Sequence, residues 1–241
     1  MRTQPVEKAA PSLPLPGCET VWQETLAMAD FDPAVLAGKL ARNARPAYGL
    51  TLVADYPLPD DVLGRIERLR QVCRGTLGDG VVLYPDDHLH LTVYSLLRSR
   101  TELLPEDVLA TAWSGWLPRL EAVAGQLSPL TVPLKGLSIT ANGAVLVCGA
   151  ATDGLRWLQA QVSQLPGVAA PRDIPPHITI GQVRRPCGTP EAFDRAMATL
   201  YRHAADAVGT LRSDRLRVLY YRSRLLDQVL QQASILLGQG G

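Results

Sequence analysis

A four-residue pattern occurs twice in this chain, 87 positions apart: His90-Leu91-Thr92-Val93 and His177-Ile178-Thr179-Ile180. In each copy a histidine and a threonine are separated by one aliphatic residue and followed by another. A β-strand sends successive side chains to opposite faces. His90 and Thr92 therefore share one face while Leu91 and Val93 share the other, and the second copy divides in the same way. Each strand can bury its aliphatic face in a core and present an imidazole beside a hydroxyl. Two such strands facing one another form a groove with two imidazoles and two hydroxyls. Pro85 precedes the first copy, and Pro175 and Pro176 precede the second.

Phosphodiester chemistry can use that set without a metal. Histidine titrates near neutrality, so one imidazole can take a proton from the nucleophile while the other protonates the leaving oxygen. Threonine hydroxyls can hydrogen-bond the non-bridging oxygens, whose negative charge persists through the transition state. A lone His-x-Thr on a strand is most simply structural. Here half of the four histidines fall in matching contexts, which makes His90 and His177 the candidate catalytic pair and Thr92 and Thr179 the candidate phosphate-binding pair. On a continuous strand His88 and Tyr94 share the face of His90 and Thr92. His88 is thus a candidate substrate contact at the groove mouth, and Tyr94 one at its wall or floor. On the preceding strand Tyr48 and Thr51 have opposite parity, so only one can face the groove.

Two other readings compete. His88-x-His90 with Asp86 or Asp87 can hold a metal, but it leaves His177 unexplained and finds no further His or Cys cluster at ligand spacing. No metal or other cofactor is therefore expected. A nucleotide- or RNA-binding module that does not turn over is the alternative from a different class.

Apolar periodicity places these strands in a mixed fold. Tyr48–Ala54 is β-prone, and Leu58, Val62, Ile66, Leu69 and Val72 recur at helical spacing after it. A strand over 81–97, broken near Pro85–Asp87, leads to a helix over 105–123. Strands over 130–137 and 144–150 flank the turn Ala141-Asn142-Gly143. A helix comes next with Leu155, Leu158, Val162 and Leu165 on one face, then a strand over 177–183 and a helix over 190–208. Strands over 216–221 and 229–237 close the chain as a hairpin. Hairpins mixed with helices favour an α+β fold over a doubly wound parallel sheet. Ahead of all this, residues 1–17 read as a loose Pro-rich leader, and 19–42 as two short helices with Asp32 and Pro33 at the N-cap and N1 positions of the second.

Composition excludes several classes. The net charge of +1 gives no global pull toward long nucleic acid. With only two Phe the chain lacks an evident stacking platform for long single strands, which favours a small or terminal substrate. Positive charge is uneven, however: Arg172 to Arg224 holds ten Arg and five acidic residues, an arrangement that gains meaning only beside a phosphate site. No run of about 20 apolar residues suggests a membrane span. The four cysteines, Cys18, Cys73, Cys148 and Cys187, form no C-x-x-C pair, so free thiols and a cytoplasmic location are expected.

The paired motifs resemble the signature of the two-histidine (2H) phosphoesterase superfamily, two His-x-Thr/Ser-x motifs with x aliphatic. That group includes 2′-5′ RNA ligase-like proteins, RNA 2′,3′-cyclic phosphodiesterases and oligoadenylate 2′,5′-phosphodiesterases. The resemblance covers roughly Ala47 to the C-terminus, leaving 1–46 as an N-terminal extension and 47–241 as the domain. It implies a bilobal α+β fold, two pseudo-symmetric lobes with antiparallel sheets flanked by helices around a central groove, with one motif in each lobe. It also implies substrates that are nucleotides or RNA termini, bearing 2′,3′-cyclic phosphates or 2′,5′-phosphodiesters. By the same resemblance His177 activates water, His90 protonates the leaving oxygen, and Thr92 and Thr179 hold the phosphate.

Overall fold

The computed structural model describes residues 18–19, 21–22, 32–170 and 175–238. The leader and most of the first short helix lie outside them. Helix α1 (Pro33–Asn43) starts as its sequence dictates: the Asp32 carboxylate accepts the Ala34 N–H at 2.8 Å and Pro33 takes the first turn, where no N–H is needed. Strand β1 (Tyr48–Ala54) leads to helix α2 (Asp60–Leu77), whose Val62, Ile66, Leu69 and Cys73 form one buried stripe. Strands β2 (Val81–Leu83) and β3 (Leu91–Arg100) come next, then helix α3 (Glu106–Ala124). Strands β4 (Leu130–Ile139) and β5 (Ala144–Gly149) form the expected hairpin, turned at Gly143 with φ of 81°. Helix α4 (Asp153–Ser163) buries Leu155, Leu158 and Val162, and strand β6 (His177–Val183) and helix α5 (Pro190–Tyr201) succeed it. Strands β7 (Ala207–Ser213), β8 (Arg215–Tyr221) and β9 (Val229–Leu236) complete the fold.

All strand pairs are antiparallel, in the order β7-β4-β5-β6-β3-β1-β8-β9, with β2 also on β6. The expected α+β, bilobal architecture is what forms. Outward from the seam between β3 and β6, one half runs β3, β1, β8, β9 and the other β6, β5, β4, β7. Each half contains a strand–helix–strand unit, β1-α2-β3 or β5-α4-β6, that ends on the seam. The halves exchange strands: after β3 the chain crosses to build β4 beside β5, and after β7 it returns to build β8 beside β1. Alternation sorts the two sheet faces. Leu50, Leu52 and Ala54 of β1 enter the main core with the helices, whereas Val53 joins a second cluster with Leu219, Tyr221 and Leu226.

Three expectations are corrected. The helix predicted to run to Val208 ends at Tyr201, and β7 begins at Ala207. Leu200, Ala204, Val208 and Leu211 are all buried at helix-like spacings of four, four and three, so the period continues past the helix end. Gly209, at φ of 118°, resets the phase of the strand. The segment ahead of β3 is not continuous strand: Asp86–His88 forms a single 3₁₀ turn, so alternation does not reach back to His88.

The third correction concerns the cysteines. Cys18 and Cys148 form a disulfide with Cα atoms 6.2 Å apart, while Cys73 and Cys187 are free. The expectation of four free thiols fails, and with it the argument for a reducing compartment. Among the described residues no helix is long and apolar enough to cross a membrane.

Alkylation tests this pairing. Cys73 is fully buried and its thiol is pushed up to about 12 by that burial, so iodoacetamide is expected to modify only Cys187 in the native, unreduced protein. Denaturation without reductant should raise the count to two, and reduction to four. Four modified cysteines without reductant would exclude the link. Cys18→Ser should lower unfolding stability by about 2–4 kcal/mol, the range typical of a lost cross-link.

Candidate active site

Strands β3 and β6 meet through one residue pair, Leu91 with Ile178. These are the aliphatic residues between histidine and threonine in the two motifs. Extending that antiparallel register by one residue sets His90 opposite Thr179 and Thr92 opposite His177. Side chains opposite one another on neighbouring strands share a face about 5 Å apart, and diagonal neighbours lie about 7–8 Å apart. One bridge thus assembles all four polar groups on the face opposite Leu91 and Ile178, which are completely buried. Each motif's last residue is also accounted for. The β1–β3 register slips by one residue at Val93, and the β5–β6 register slips by one at Ile180, three residues after each histidine. Such a bulge bends the strand and re-aims the side chains beyond it.

The two imidazoles are held in the same way. Nδ1 of His90 lies 2.9 Å from the carbonyl of His88, and Nδ1 of His177 lies 2.8 Å from the carbonyl of Pro175. A carbonyl only accepts, so each Nδ1 carries the proton and each Nε2 keeps its lone pair. The prolines noted in the sequence help to place those carbonyls. Pro85 starts the 3₁₀ turn in which His88 N–H donates to the Pro85 carbonyl at 3.1 Å. Arg70 of α2, buried to 5% exposure, braces the same turn by donating to the Asp86 carboxylate and the Tyr84 carbonyl. On the other strand the Pro176 carbonyl accepts from Gly149 N–H at 2.7 Å.

Burial favours the neutral form of both rings. It pushes His90 down to about 4, with the nearby His177 adding to the shift, and it lowers His177 as well. The hydrogen bonds to His88 and Pro175 oppose this only in part.

The other sequence candidates divide. His88 lines the groove from the 3₁₀ turn, with Nδ1 buried and unpartnered. Tyr94 lies at the groove floor, packed into the main core with its hydroxyl donating to the Ala169 carbonyl at 2.8 Å. Of the β1 pair, Thr51 lines the groove and Tyr48 enters the core. The metal alternative loses Asp86 to Arg70, and among the described residues no three His, Cys, Asp or Glu side chains are grouped to hold an ion.

The groove has two contiguous parts of about 280 and 370 Å³ that share His90, Thr92, His177, Tyr221 and Arg224. Sequence reasoning missed Tyr221 and Arg224, as well as Lys39 and Asn43 of α1, which line its second part. Arg224 ends the Arg-rich stretch seen in the sequence, and that was its only signal. Gly49 makes room for Tyr221: a Cβ there would stand 2.5 Å from the Tyr221 hydroxyl. Among the described residues lining the groove there is no Asp or Glu, although the chain carries 23 acidic residues.

A seam of two antiparallel half-sheets, each bringing an imidazole and a hydroxyl, is the arrangement expected of the two-histidine phosphoesterases. A family model of the 2′-5′ RNA ligase superfamily matches residues 58–224, and the chain belongs to that superfamily. Two solved structures are similar in fold. TT0787 of Thermus thermophilus is 17% identical with a TM-score of 0.52, over 79% of this chain and 99% of that one. ATU0111 of Agrobacterium tumefaciens, a conserved protein of unknown function, is 17% identical with a TM-score of 0.54, over 80% and 86% of the two chains. No curated protein matches the sequence.

The depressed histidines tie stability to pH. Between about 4 and 6.5 the unfolded chain binds a proton that folded His90 refuses. Stability is therefore fully present above pH 6.5 and falls as pH drops toward 4, by up to about 3 kcal/mol for a shift of that size. In urea titrations at about pH 7 and about pH 4.5, on either side of most of that window, His90→Gln should lose less stability on acidification than wild type; an equal loss would refute the assignment. Arg70→Ala should cost about 1–3 kcal/mol by stranding the buried Tyr84 carbonyl, read as a lower urea midpoint.

Proposed function

We propose that the chain is a metal-independent phosphodiesterase that hydrolyses 2′,3′-cyclic phosphates or 2′,5′-phosphodiesters of nucleotides or RNA ends. The observation that carries this reading is the cross-strand placement of His90, Thr92, His177 and Thr179 in a groove whose described lining holds no carboxylate. An anionic diester entering it meets hydrogen-bond donors and no like charge from those residues. Residues 47–241 carry the catalytic groups, with 1–46 as an extension whose helix α1 adds Lys39 and Asn43 to the groove wall.

In the reaction, His177 takes a proton from the attacking water through its free Nε2. His90, protonated, donates to the leaving ribose oxygen, and Thr92 and Thr179 hold the non-bridging oxygens. Burial keeps both rings neutral before substrate binds, so the acid has to gain its proton. The phosphate anion supplies the cause, because a negative charge a few ångströms away raises a histidine pKa. His88 and Tyr94 serve substrate placement rather than proton transfer, His88 at the groove mouth and Tyr94 through the floor.

The test uses 2′,3′-cyclic nucleotides, an RNA ending in a 2′,3′-cyclic phosphate and a 2′,5′-linked dinucleotide, all in excess EDTA. Turnover should survive chelation and fall about 10²–10⁴-fold in His90→Ala and in His177→Ala, the usual weight of a general acid or base. A p-nitrophenyl phosphodiester leaves without needing a proton, so it should restore much of the His90→Ala rate and little of the His177→Ala rate. The reverse rescue would exchange the two roles. Binding of these compounds without turnover would replace the enzyme by a binding module.

A further inference from the structure

The bulge at Ile180 brings one more polar side chain to the groove. Leu146 pairs with Thr179, and Ala144 pairs with Gln182. Leu146 and Ala144 are two residues apart on β5 and share a face, so Thr179 and Gln182, three apart on β6, share it too. Simple alternation would have set Gln182 with Ile178 and Ile180 in the core. It lines the second part of the groove instead. Ser95 is the corresponding residue of β3, also five positions after its histidine, and it lines the groove as well. The histidines and threonines repeat in the two halves, whereas this position holds a serine in one and a glutamine in the other.

The Gln182 amide is fixed and only half used. Its Nε2 donates to the Asn142 carbonyl at 2.7 Å and to the Val183 carbonyl at 3.0 Å. Carbonyls only accept, so the amide cannot be turned over, and Oε1 is left as an acceptor. The residue is completely buried, and Oε1 has no hydrogen-bond partner among the described residues. The large majority of buried side-chain polar atoms are paired, and this one belongs to a groove wall. Nδ1 of His88, on the same part of the groove, is a second buried atom without such a partner. In the antiparallel register β6 runs from Thr179 toward Gln182 as β3 is followed back from His90 toward His88, so both residues lie at the end beyond His90. In the proposed reaction His90 protonates the leaving ribose oxygen, and the nucleoside that carries this oxygen lies at the same end. An acceptor there calls for a donor on the ligand. Adenine N6 and cytosine N4 are amino donors, where hypoxanthine and uracil present a carbonyl oxygen. Resting on the phosphodiesterase reading, we propose that this end of the groove is a nucleobase subsite in which Gln182 Oε1 accepts from an exocyclic amino group. The subsite selects adenine and cytosine over hypoxanthine and uracil.

The experiment measures kcat/KM for the 2′,3′-cyclic phosphates of adenosine, inosine, purine riboside, cytidine and uridine in wild type and Gln182→Met. Wild type should favour adenosine over inosine and cytidine over uridine by about tenfold or more, equivalent to at least about 1.4 kcal/mol. A buried acceptor rejects the analogue that cannot pair with it. Purine riboside lacks the amino group but keeps the adjacent ring nitrogen, so it should fall with inosine. In Gln182→Met, with folding checked by its urea midpoint, both ratios should drop toward one. Wild-type ratios near one, or purine riboside matching adenosine, would overturn the subsite and leave Oε1 to a bound water; neither reading needs a variant to fold. Ratios unchanged in a folded Gln182→Met would overturn it too. Calorimetric affinities for adenosine and inosine 2′-monophosphates read the same preference without turnover. A preference there, in a protein that cleaves none of the cyclic compounds, would retain the subsite and reject the hydrolase.

Discussion

The pairing of Leu91 with Ile178 is the contact on which the rest depends. It is the one residue pair through which β3 and β6 are joined, and so, among the described residues, the one place where the β3-β1-β8-β9 half and the β6-β5-β4-β7 half, which also carries β2, become a single sheet. Its position within the motifs converts two separate stretches of sequence into one constellation. A slip of one residue would set His90 opposite Ile178 or Ile180 and turn the hydroxyls away from the imidazoles. The strands then separate beyond the bridge, each bent by its bulge, and the side chain of Gln159 fills part of the space by donating to the Val93 carbonyl at 3.0 Å. On one side of the bridge β2 and the Tyr84 N–H take up the edge of β6, and the groove lies over the seam on the face that carries the imidazoles and hydroxyls.

Electrostatics complete what geometry starts. Both imidazoles lose charge on burial and keep their Nε2 lone pairs because Nδ1 is committed to a carbonyl. A neutral pair can supply a base at once but not an acid. The described residues of the groove wall include no carboxylate to stabilise an imidazolium, and a carboxylate there would compete with phosphate for the same donors. In the proposed reaction an anionic ligand is therefore the partner that permits the second protonation state, which would couple binding to readiness for proton transfer.

Much of this was legible in the sequence because the governing patterns are local. The parity of His-x-Thr, the stripe of Val62, Ile66 and Leu69, and the Asn142-Gly143 turn each report on neighbours within a few residues. The parts that were not legible depend on contacts far along the chain. The bulges at Val93 and Ile180 exist only relative to β1 and β5. Cys18 and Cys148 are 130 positions apart, and spacing along the chain does not reveal such a pair. Strand β7 was hidden because Val208 and Leu211 continue the spacing of Leu200 and Ala204 by coincidence, with Gly209 breaking the alternation that would have betrayed a strand. Lys39 and Arg224 are ordinary surface types in sequence, and only the fold brings them to one groove.

The covering of the two half-sheets explains why the groove sits where it does. On one half Leu226 closes over Val53, Leu219 and Tyr221. On the other Cys18 packs with Leu146 and Cys148, residues that pair with Thr179 and His177 across β5 and β6. Each apolar flank is thus sealed by a segment from outside its own strand–helix–strand unit, and the polar seam stays open. The exchange of β4 and β8 between the halves acts in the same sense, since neither half can complete its sheet without chain from the other side. The site and its walls therefore form together with the global fold rather than within either half, and separating the halves would remove the bridge, the covers and the groove at once.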